Sequence, residues 1–393
     1  MDTSSDKAAP AAATNAPRTA TPAEMNSYAG PHAEYTGGYS SGTAVRKLEL
    51  TDLVAIADEA AKVIPKVGFD YITDGAGSEW TLQANRTAFD RYQIVPRMLT
   101  GVAKPDLRTQ LLGIDLAMPI TVTQMAAHGL AHFSAEAGSA QGAAAAGTIF
   151  TPSTVSTLSL EQIASSSPGP KFFGLYPMSD RGFTRELIQR AKAAGYRAIV
   201  MTVDTTATGN RESGVRDHFT FHSQTGNMPN GGKDSGLASQ NGLLATKLDA
   251  SDVAFAIQES GLPVIVKGIM HPQDALRAID AGAAAIQVSN HGGRQLDSAP
   301  AAFTALPAIA AAVERRVPIM FDSGIRRGQD VFKALALGAD VVCLGRPVLY
   351  GLSLGGWMGV QSVLELLSQE LSMVMQLAGT QTVEDIKRTQ LVG

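Results

Sequence analysis

The sequence predicts an α/β fold, a (β/α)8 TIM barrel with a long loop after the fourth strand. Short apolar runs recur along the chain, most of them separated by about 20 to 30 residues that contain Ala-rich amphipathic segments such as 185–194 and 272–281. Runs that are apolar on both faces indicate a buried parallel sheet, and eight strand–helix repeats are the number that closes into a barrel. The predicted strands are 118–122, 147–150, 171–175, 198–202, 263–267, 284–288, 318–321 and 340–344.

Reactive side chains gather at the ends of these runs, which favours a closed barrel over the alternative, an open doubly wound sheet. No GxGxxG pattern follows the first run, as it does in dinucleotide-binding open sheets. In a closed barrel the carboxyl ends of all strands share one face, so residues far apart in sequence meet in one pocket. The residues at or just beyond the strand ends are Ala126, His128, Ser153, Tyr176, Thr202, Asp204, Lys267, 289–294, 322–326, Gly345 and Arg346.

The chain divides into a tail and one domain. Residues 1–45 are rich in Ala, Thr, Ser, Pro and Gly and poor in large aliphatic residues, which predicts a disordered N-terminal tail. Residues 46–393 are expected to form the barrel. The segment 205–251 is rich in Gly, Asn, Ser and Asp and is about twice as long as the other connections, so it predicts a lid over the site or a disordered loop.

Composition limits the partners of the protein. Its 393 residues are 45% hydrophobic, which is enough for a large core. The net charge is −4 and no basic block is present, so neither nucleic acid nor a membrane surface is expected as a partner. No apolar run is long enough to cross a membrane. The single cysteine, Cys343, excludes an internal disulfide, the expected location is cytoplasmic, and no His/Cys cluster suggests a metal.

A nine-residue string, 289–297, directly follows the sixth predicted strand and contains His291 and Arg294. A base and a fixed cation on one loop can take a proton from an anionic substrate, although a polar turn that closes a strand would also explain each residue alone. Glycines and arginines follow the last two strands, in the loops where barrels usually bind phosphate. They are Gly324, Arg326, Gly345 and Arg346.

These motifs together resemble the FMN-dependent 2-hydroxy-acid oxidases. The string 289–297 resembles the active-site signature of that family, and the segments 321–328 and 344–349 continue the resemblance. The segment 126–132, AAHGLAH, is similar to the L-lactate oxidase branch. The resemblance extends over roughly residues 50 to 390.

The resemblance implies FMN as the cofactor. It places the FMN phosphate at the two glycine–arginine loops, and it places Lys267 at the N1/O2 edge of the flavin, where a cation stabilises negative charge on the reduced ring. The backbone near Thr123 and Ala126 would face the N5 edge. The other residues that the resemblance assigns to the cofactor are Ser153, Thr202, Ser289 and Asp322.

The resemblance also implies the substrate-binding residues. His291 would be the base that removes the proton of the substrate hydroxyl group, and Asp204 beside it would raise its pKa and stabilise the imidazolium. Two arginines would bind the substrate carboxylate, and two tyrosines would donate hydrogen bonds to the substrate. These four residues are Arg211, Arg294, Tyr71 and Tyr176.

Three departures from the family pattern concern the space around the substrate. The family usually has a glutamine where this chain has Gly174, and it reads Ala-Pro-Ile-Ala where this chain reads Thr-Gln-Met-Ala at 123–126. Gln124 could therefore reach the space that Gly174 vacates. No tyrosine lies between residues 205 and 263, where lactate oxidases have a gating tyrosine. The sequence thus predicts more room for longer 2-hydroxy acids, unless Met125, Phe219 or Phe221 fills it.

The predicted reaction is the oxidation of (S)-2-hydroxy acids, foremost L-lactate to pyruvate, with O2 reduced to hydrogen peroxide. Ala126, where lactate monooxygenases have glycine, favours the oxidase. Three alternatives stay open: a dehydrogenase with a quinone or cytochrome acceptor, an FMN- or sugar-phosphate-binding isomerase or lyase, and a flavin-binding protein without catalysis. The resemblance suggests a homotetramer.

Overall fold

Helices and strands alternate along most of the chain, and the computed structural model describes residues 21–27, 31–228 and 242–393. The strands are β1 (Gln93–Ile94), β2 (Thr109–Leu111), β3 (Ile114–Leu116), β4 (Ile120–Val122), β5 (Phe173–Leu175), β6 (Ile199–Thr202), β7 (Val264–Ile269), β8 (Ala285–Val288), β9 (Ile319–Phe321), β10 (Val341–Leu344) and β11 (Leu391–Val392). The α-helices are α1 (Pro22–Ser27), α2 (Ile56–Ala60), α3 (Lys66–Thr73), α4 (Trp80–Thr87), α5 (Ala135–Ala145), α6 (Leu160–Ser165), α7 (Arg181–Ala193), α8 (Glu212–Arg216), α9 (Ala250–Ser260), α10 (Pro272–Asp280), α11 (Ala302–Val313), α12 (Gly328–Ala336), α13 (Arg346–Ala378) and α14 (Val383–Ile386).

Seven strands form one parallel sheet in the order β4-β10-β9-β8-β7-β6-β5, and each coincides with one of the eight predicted runs. The remaining run, 147–150, is not a strand. Only Phe150 pairs there, through single parallel bridges to Val122 and to Lys171. The prediction of a full strand is wrong at this place because Gly147 has a φ of +71°, outside the extended region of backbone conformation.

A hairpin that the sequence analysis missed packs against one end of the sheet. β2 and β3 pair antiparallel around Leu112 and Gly113, whose φ angles of +48° and +76° suit a tight hairpin turn. Leu111, Ile114 and Leu116 are buried in one cluster with apolar residues of β6 to β10. Apolar side chains therefore fill the amino-terminal end of the sheet, and polar groups are left for the carboxyl ends of the strands.

The longest helix begins beside the predicted phosphate loops. α13 starts at Arg346, and only its N-cap residue Gly345 separates it from β10, so the positive end of its dipole lies at the carboxyl end of that strand. Every residue of α5 is buried, because its small side chains allow close packing against α13. A Cβ added at Gly142 would lie 2.5 Å from Cβ of Val360. The approach of these two helices thus depends on glycine.

The structure corrects the predicted disorder for residues 31–45, the last part of the predicted tail of residues 1–45. Residues 31–45 pack on the segment that follows β4, where Tyr35 and Tyr39 donate hydrogen bonds from Oη to the carbonyl oxygens of Gly129 and Leu130 at 2.8 and 2.7 Å. Met25 of α1 is buried as well. The prediction failed because it counted aliphatic residues, whereas the aromatic rings of this segment supply the buried area and the hydrogen bonds. The rest of the predicted tail lies outside the described residues.

The predicted lid segment, 205–251, is described except for residues 229–241. Its first part forms α8 and then packs against Tyr71, which stacks on Phe219 with a centroid distance of 4.3 Å and contacts Phe221 edge-on at 5.5 Å. These contacts bring the segment to the carboxyl ends of the strands. Among the helices of the described residues, none has the length and apolar character needed to cross a membrane.

Candidate active site

A cavity of about 1260 Å³, counted with its open mouth, lies at the carboxyl ends of the parallel strands. Thirteen of the predicted site residues line it, from both ends of the sequence, which confirms that they converge. They are Tyr71, Thr123, Ala126, Tyr176, Arg211, Lys267, His291, Arg294, Asp322, Gly324, Arg326, Gly345 and Arg346.

Four further predicted residues lie behind the cavity wall. Ser289 donates a hydrogen bond from Oγ to Asp322 at 2.7 Å, and Asp204 contacts His291 from behind. The hydroxyl of Thr202 accepts a hydrogen bond from Gln124 at 3.2 Å. The buried Ser153 accepts one from the backbone N–H of residue 155 at 3.1 Å. In this structure these four residues support the residues of the cavity wall.

His291 is held by partners on both ring nitrogens. Nδ1 lies 3.0 Å from Oδ1 of Asp204, and Nε2 lies 3.3 Å from Oη of Tyr176. The carboxylate calls for the Nδ1–H tautomer, which leaves the Nε2 lone pair toward the cavity. The loop is positioned by Asn290, which exchanges two side-chain hydrogen bonds of 2.8 Å with Asn85 of α4.

The pKa of His291 is set by burial and by two charged neighbours, and Asp204 raises it as expected. Burial is the largest influence and lowers the pKa, and the nearby Lys267 ammonium lowers it as well. The effect of Asp204 does not outweigh the other two, so the pKa of His291 lies below its ordinary value. A neutral imidazole is therefore available as a base at neutral pH. Burial raises the pKa of Tyr176 to about 12, so this tyrosine keeps its proton.

Lys267 is a buried ammonium with two carboxylates nearby. Burial alone would lower its pKa, but Asp204 and Asp322 outweigh that effect and raise it. Nζ lies 4.0 Å from Oδ2 of Asp204. The close approach depends on Gly268, whose φ is +105° and where an added Cβ would lie 2.7 Å from Cβ of Asp204. The cavity thus has a permanent positive charge beside the histidine.

Tyr71 and two arginines form one corner of the cavity. The guanidinium carbons of Arg294 and Arg211 lie 5.2 and 5.9 Å from the centre of the Tyr71 ring. Nε of Arg211 is buried and has no hydrogen-bond partner among the described residues. A buried guanidinium nitrogen without an acceptor is costly unless a ligand supplies one. This corner therefore suits a carboxylate.

Arg326 and Arg346 meet the requirements of a phosphate site. Neither forms an ion pair within 4 Å among the described residues: Arg346 donates to three backbone carbonyl oxygens, and Arg326 donates to that of Ile325. Burial lowers the pKa of each to about 10, which still leaves both charged at neutral pH. Gly324 has a φ of +99°, and a Cβ there would overlap the backbone of α4. Two unpaired cations at a helix N-terminus fit a phosphate group.

A row of buried polar side chains runs beneath the cavity. Nε2 of Gln287 donates to Asp322 at 2.6 Å and to Thr123 at 3.1 Å, and Thr123 donates to Gln124 at 3.2 Å. Gln124 fills the space beside Gly174, since a Cβ added there would lie 2.6 Å from Cβ of Gln124. The suggestion that Gln124 reaches this space is confirmed. The sequence signal for Gln287 was a lone amide within an apolar strand.

Sequence reasoning also missed Asp74. This residue is 5% exposed, and its Oδ1 lies 2.6 Å from Nη1 of Arg294. Its position three residues after Tyr71, at the end of α3, was the signal that could have found it. Apolar residues of the cavity wall that the sequence reasoning did not single out include Ile72, Val155, Leu244 and Leu349.

The fold and the site define a class of protein: a parallel α/β enzyme of the TIM-barrel type, whose cavity is lined by four arginines and by a histidine in contact with a carboxylate. The family model of FMN-dependent dehydrogenases matches residues 60–392, and the chain belongs to that family. Its cofactor is FMN. The resemblance inferred from the sequence is thereby confirmed.

Individual relatives show which enzymes of this family the chain is similar to. The chain is 47% identical to an L-lactate oxidase of Lentilactobacillus hilgardii, over 90% of this chain and 98% of the relative. A solved lactate oxidase from Pediococcus acidilactici is also 47% identical, with a TM-score of 0.85 over 90% of this chain and 98% of the other. A mandelate oxidase variant with (S)-mandelic acid is 37% identical, with a TM-score of 0.80 over 87% and 98% of the two chains.

Proposed function

We propose that this protein oxidises (S)-2-hydroxy acids, with L-lactate as its main substrate, and transfers the electrons through FMN to O2. Lactate loses two electrons and two protons to give pyruvate, and O2 takes up two electrons and two protons to give hydrogen peroxide. The observation that carries the proposal is geometric: His291, held by Asp204 at 3.0 Å, shares one cavity with two arginines suited to a carboxylate. The lactate oxidases among the relatives support L-lactate and O2 as the reactants.

The proposed chemistry begins with the substrate carboxylate. Arg211 and Arg294 bind it, because their guanidinium groups line the same corner and match carboxylate geometry. The hydroxyls of Tyr71 and Tyr176 donate hydrogen bonds to the substrate, and the high pKa of Tyr176 keeps it a donor. Substrate bound in this way has its 2-hydroxyl group near Nε2 of His291.

His291 then takes the proton of that hydroxyl group on Nε2. The imidazolium that forms is stabilised by Asp204, 3.0 Å from Nδ1. FMN, when bound, accepts the two electrons that leave the C–H bond of the substrate. Arg326, Arg346, Gly324 and Gly345 would hold its phosphate. Residues assigned to the ring are Lys267, Thr123, Ala126, Ser153, Thr202, Ser289 and Asp322.

Four features of the molecule belong to the same proposal. Phe150 would close the sheet into an eight-stranded barrel, which its bridges to Val122 and Lys171 support. The segment 205–251 would act as the lid, supported by its contacts with Tyr71. A single FMN-binding domain would comprise residues 46–393, and the family resemblance supports a homotetramer.

The experiment starts with the purified protein and a panel of 2-hydroxy acids. We expect one FMN per chain, and peroxide formation with L-lactate but not with D-lactate. His291→Gln should retain FMN, while anaerobic reduction of the flavin by substrate slows about 10²- to 10⁴-fold, the usual contribution of a positioned base. Arg294→Lys should also impair reduction, because an ammonium cannot replace the planar guanidinium.

His271→Gln serves as the matched control, since His271 is exposed and does not line the cavity. Reduction of the His291 variant at the wild-type rate would remove this residue from the mechanism. Fast anaerobic reduction by lactate without peroxide formation in air would show that O2 is not the acceptor, and assays with a quinone and a cytochrome would then identify the dehydrogenase.

A further inference from the structure

A buried carboxylate stands behind the two substrate arginines. Asp74 directly follows α3, and its side chain is almost fully buried. Oδ1 lies 2.6 Å from Nη1 of Arg294, and Oδ2 accepts a hydrogen bond of 2.7 Å from Oγ of Ser213. One carboxylate thus contacts both the loop after β8 and helix α8 of the lid segment.

The contacts of Arg294 are concentrated on one nitrogen. Its hydrogen bonds to described residues all start from Nη1, which donates to Oδ1 of Asp74, to the Asp74 carbonyl at 2.9 Å and, at 3.4 Å, to the carbonyl of Ile72. Nε–H and one N–H of Nη2 lie side by side on the other edge of the guanidinium group. That edge is the one that binds a carboxylate with two parallel hydrogen bonds. Anchoring Nη1 therefore presents the free edge to a ligand.

Arg211 is connected to the same carboxylate through α8. Arg211 is the residue immediately before this helix, and Ser213 lies in its first turn. The hydrogen bond from Ser213 to Asp74 fixes the start of α8, and with it the backbone of Arg211. The buried Nε of Arg211 has no acceptor among the described residues, which indicates that this nitrogen awaits a ligand.

We propose that Asp74 is a positioning residue that sets both arginines for the substrate carboxylate, directly through Nη1 of Arg294 and through Ser213 for Arg211. This inference rests on the proposed function, because that function supplies the carboxylate. A purely electrostatic effect would have the opposite sign: removal of a negative charge 2.6 Å from Arg294 would tighten the binding of anions. Positioning predicts weaker binding, so the direction of the change separates the two.

The test compares Asp74→Ala, Asp74→Asn and Ser213→Ala in the FMN-loaded protein. Asp70→Asn is the matched control, since Asp70 lies on the same helix and pairs with the exposed Lys66. Oxalate, a carboxylate without a C–H bond to oxidise, is titrated by calorimetry, and KM and kcat are measured with L-lactate. For Asp74→Ala we expect the oxalate Kd and the lactate KM to rise about tenfold, with kcat changed less than about threefold.

The other variants separate positioning from a general structural effect. Asp74→Asn keeps an oxygen acceptor for Nη1 and should recover part of the oxalate affinity. Ser213→Ala should weaken oxalate binding about threefold. In an Arg294→Lys background, Asp74→Ala should add no more than about that threefold, because only the connection through Ser213 to Arg211 is then left to lose. The FMN content should stay as in the wild type throughout.

An oxalate Kd and a KM that are unchanged or lower in Asp74→Ala would overturn the inference. If that variant does not fold, Asp74→Asn and Ser213→Ala decide, and wild-type values in both would overturn it. A wild-type protein that oxidises no 2-hydroxy acid refutes the proposed function instead. Oxidation by the wild type together with unaffected variants refutes only the role of Asp74.

Discussion

Replacement of Gly174 by alanine tests how tightly β5 packs against Gln124 beneath the cofactor cavity. The added Cβ would lie 2.6 Å from Cβ of Gln124 and 2.8 Å from the carbonyl oxygen of Pro152. Carbon atoms in contact prefer about 3.5 to 4.0 Å, so the overlap with Gln124 is about 1 Å. Neither atom is the flexible end of a side chain, so the backbone has to move. Overpacking of this kind costs about 1 to 3 kcal/mol of unfolding free energy.

The effect should reach the cofactor because Gln124 lines the cavity and donates a hydrogen bond to Thr202. We therefore expect Gly174→Ala to lower the unfolding free energy in urea by about 1 to 3 kcal/mol and to raise the Kd of FMN, measured by flavin fluorescence. The double variant Gln124→Gly with Gly174→Ala removes the nearest clash and should recover part of the loss, with a coupling of about 0.5 to 3 kcal/mol.

Gly182→Ala is the control for the substitution itself. Gly182 lies in the first turn of α7, where an added Cβ would approach only the side chain of Asp180, at 3.0 Å. Alanine there should be neutral or stabilise the protein by up to about 1 kcal/mol. Wild-type stability and FMN affinity in Gly174→Ala would show that the space beside Gly174 is open, and that the packing argument is wrong.

The remaining predictions concern pH, cofactor, stability and substrate size. The kcat/KM for lactate should rise with pH through the lowered pKa of His291, because the base must be deprotonated, and should then stay level, because Tyr176, with a pKa of about 12, keeps its proton. Asp204→Asn removes the group that raises the pKa of His291, so the acidic side of the pH profile should move to lower pH. A shift to higher pH would contradict this. Arg326→Ala should raise the FMN Kd about 10- to 100-fold, as expected for the loss of a charged hydrogen bond to phosphate, and should change the melting temperature of the apoprotein little. An unchanged FMN Kd would exclude Arg326 from the phosphate site. Tyr39→Ala should lower the unfolding free energy in urea by about 3 to 5 kcal/mol because the ring is buried, and Tyr39→Phe should lower it by about 1 kcal/mol because its hydrogen bond is lost. Wild-type unfolding free energies in both variants would mean that residues 31–45 do not pack on the rest of the protein. Because Gln124 fills the space beside Gly174 and Phe221 lines the cavity, kcat/KM should fall steadily from lactate through 2-hydroxybutyrate to 2-hydroxyoctanoate, whereas a rise of about fourfold per methylene would reveal open apolar space.

The sequence by itself determined the class of fold and the composition of the site. The runs that became β4 to β10 could be located because burial on both faces leaves a local pattern, continuous apolar residues followed by glycine and polar residues. The convergence of His291, Lys267 and Arg346 followed as well, since residues at the carboxyl ends of parallel strands share one face whatever their separation in sequence. The family motifs then identified FMN.

Only the tertiary structure decided how these residues act on one another. The pKa of His291 depends on the sum of burial, Lys267 and Asp204, and its direction changes with distances that no local pattern contains. Gln124 could be recognised as a departure, but its packing on Gly174 depends on the register of two strands. Asp74 looked like an ordinary residue at a helix end, because its contact with Arg294 joins residues 220 positions apart.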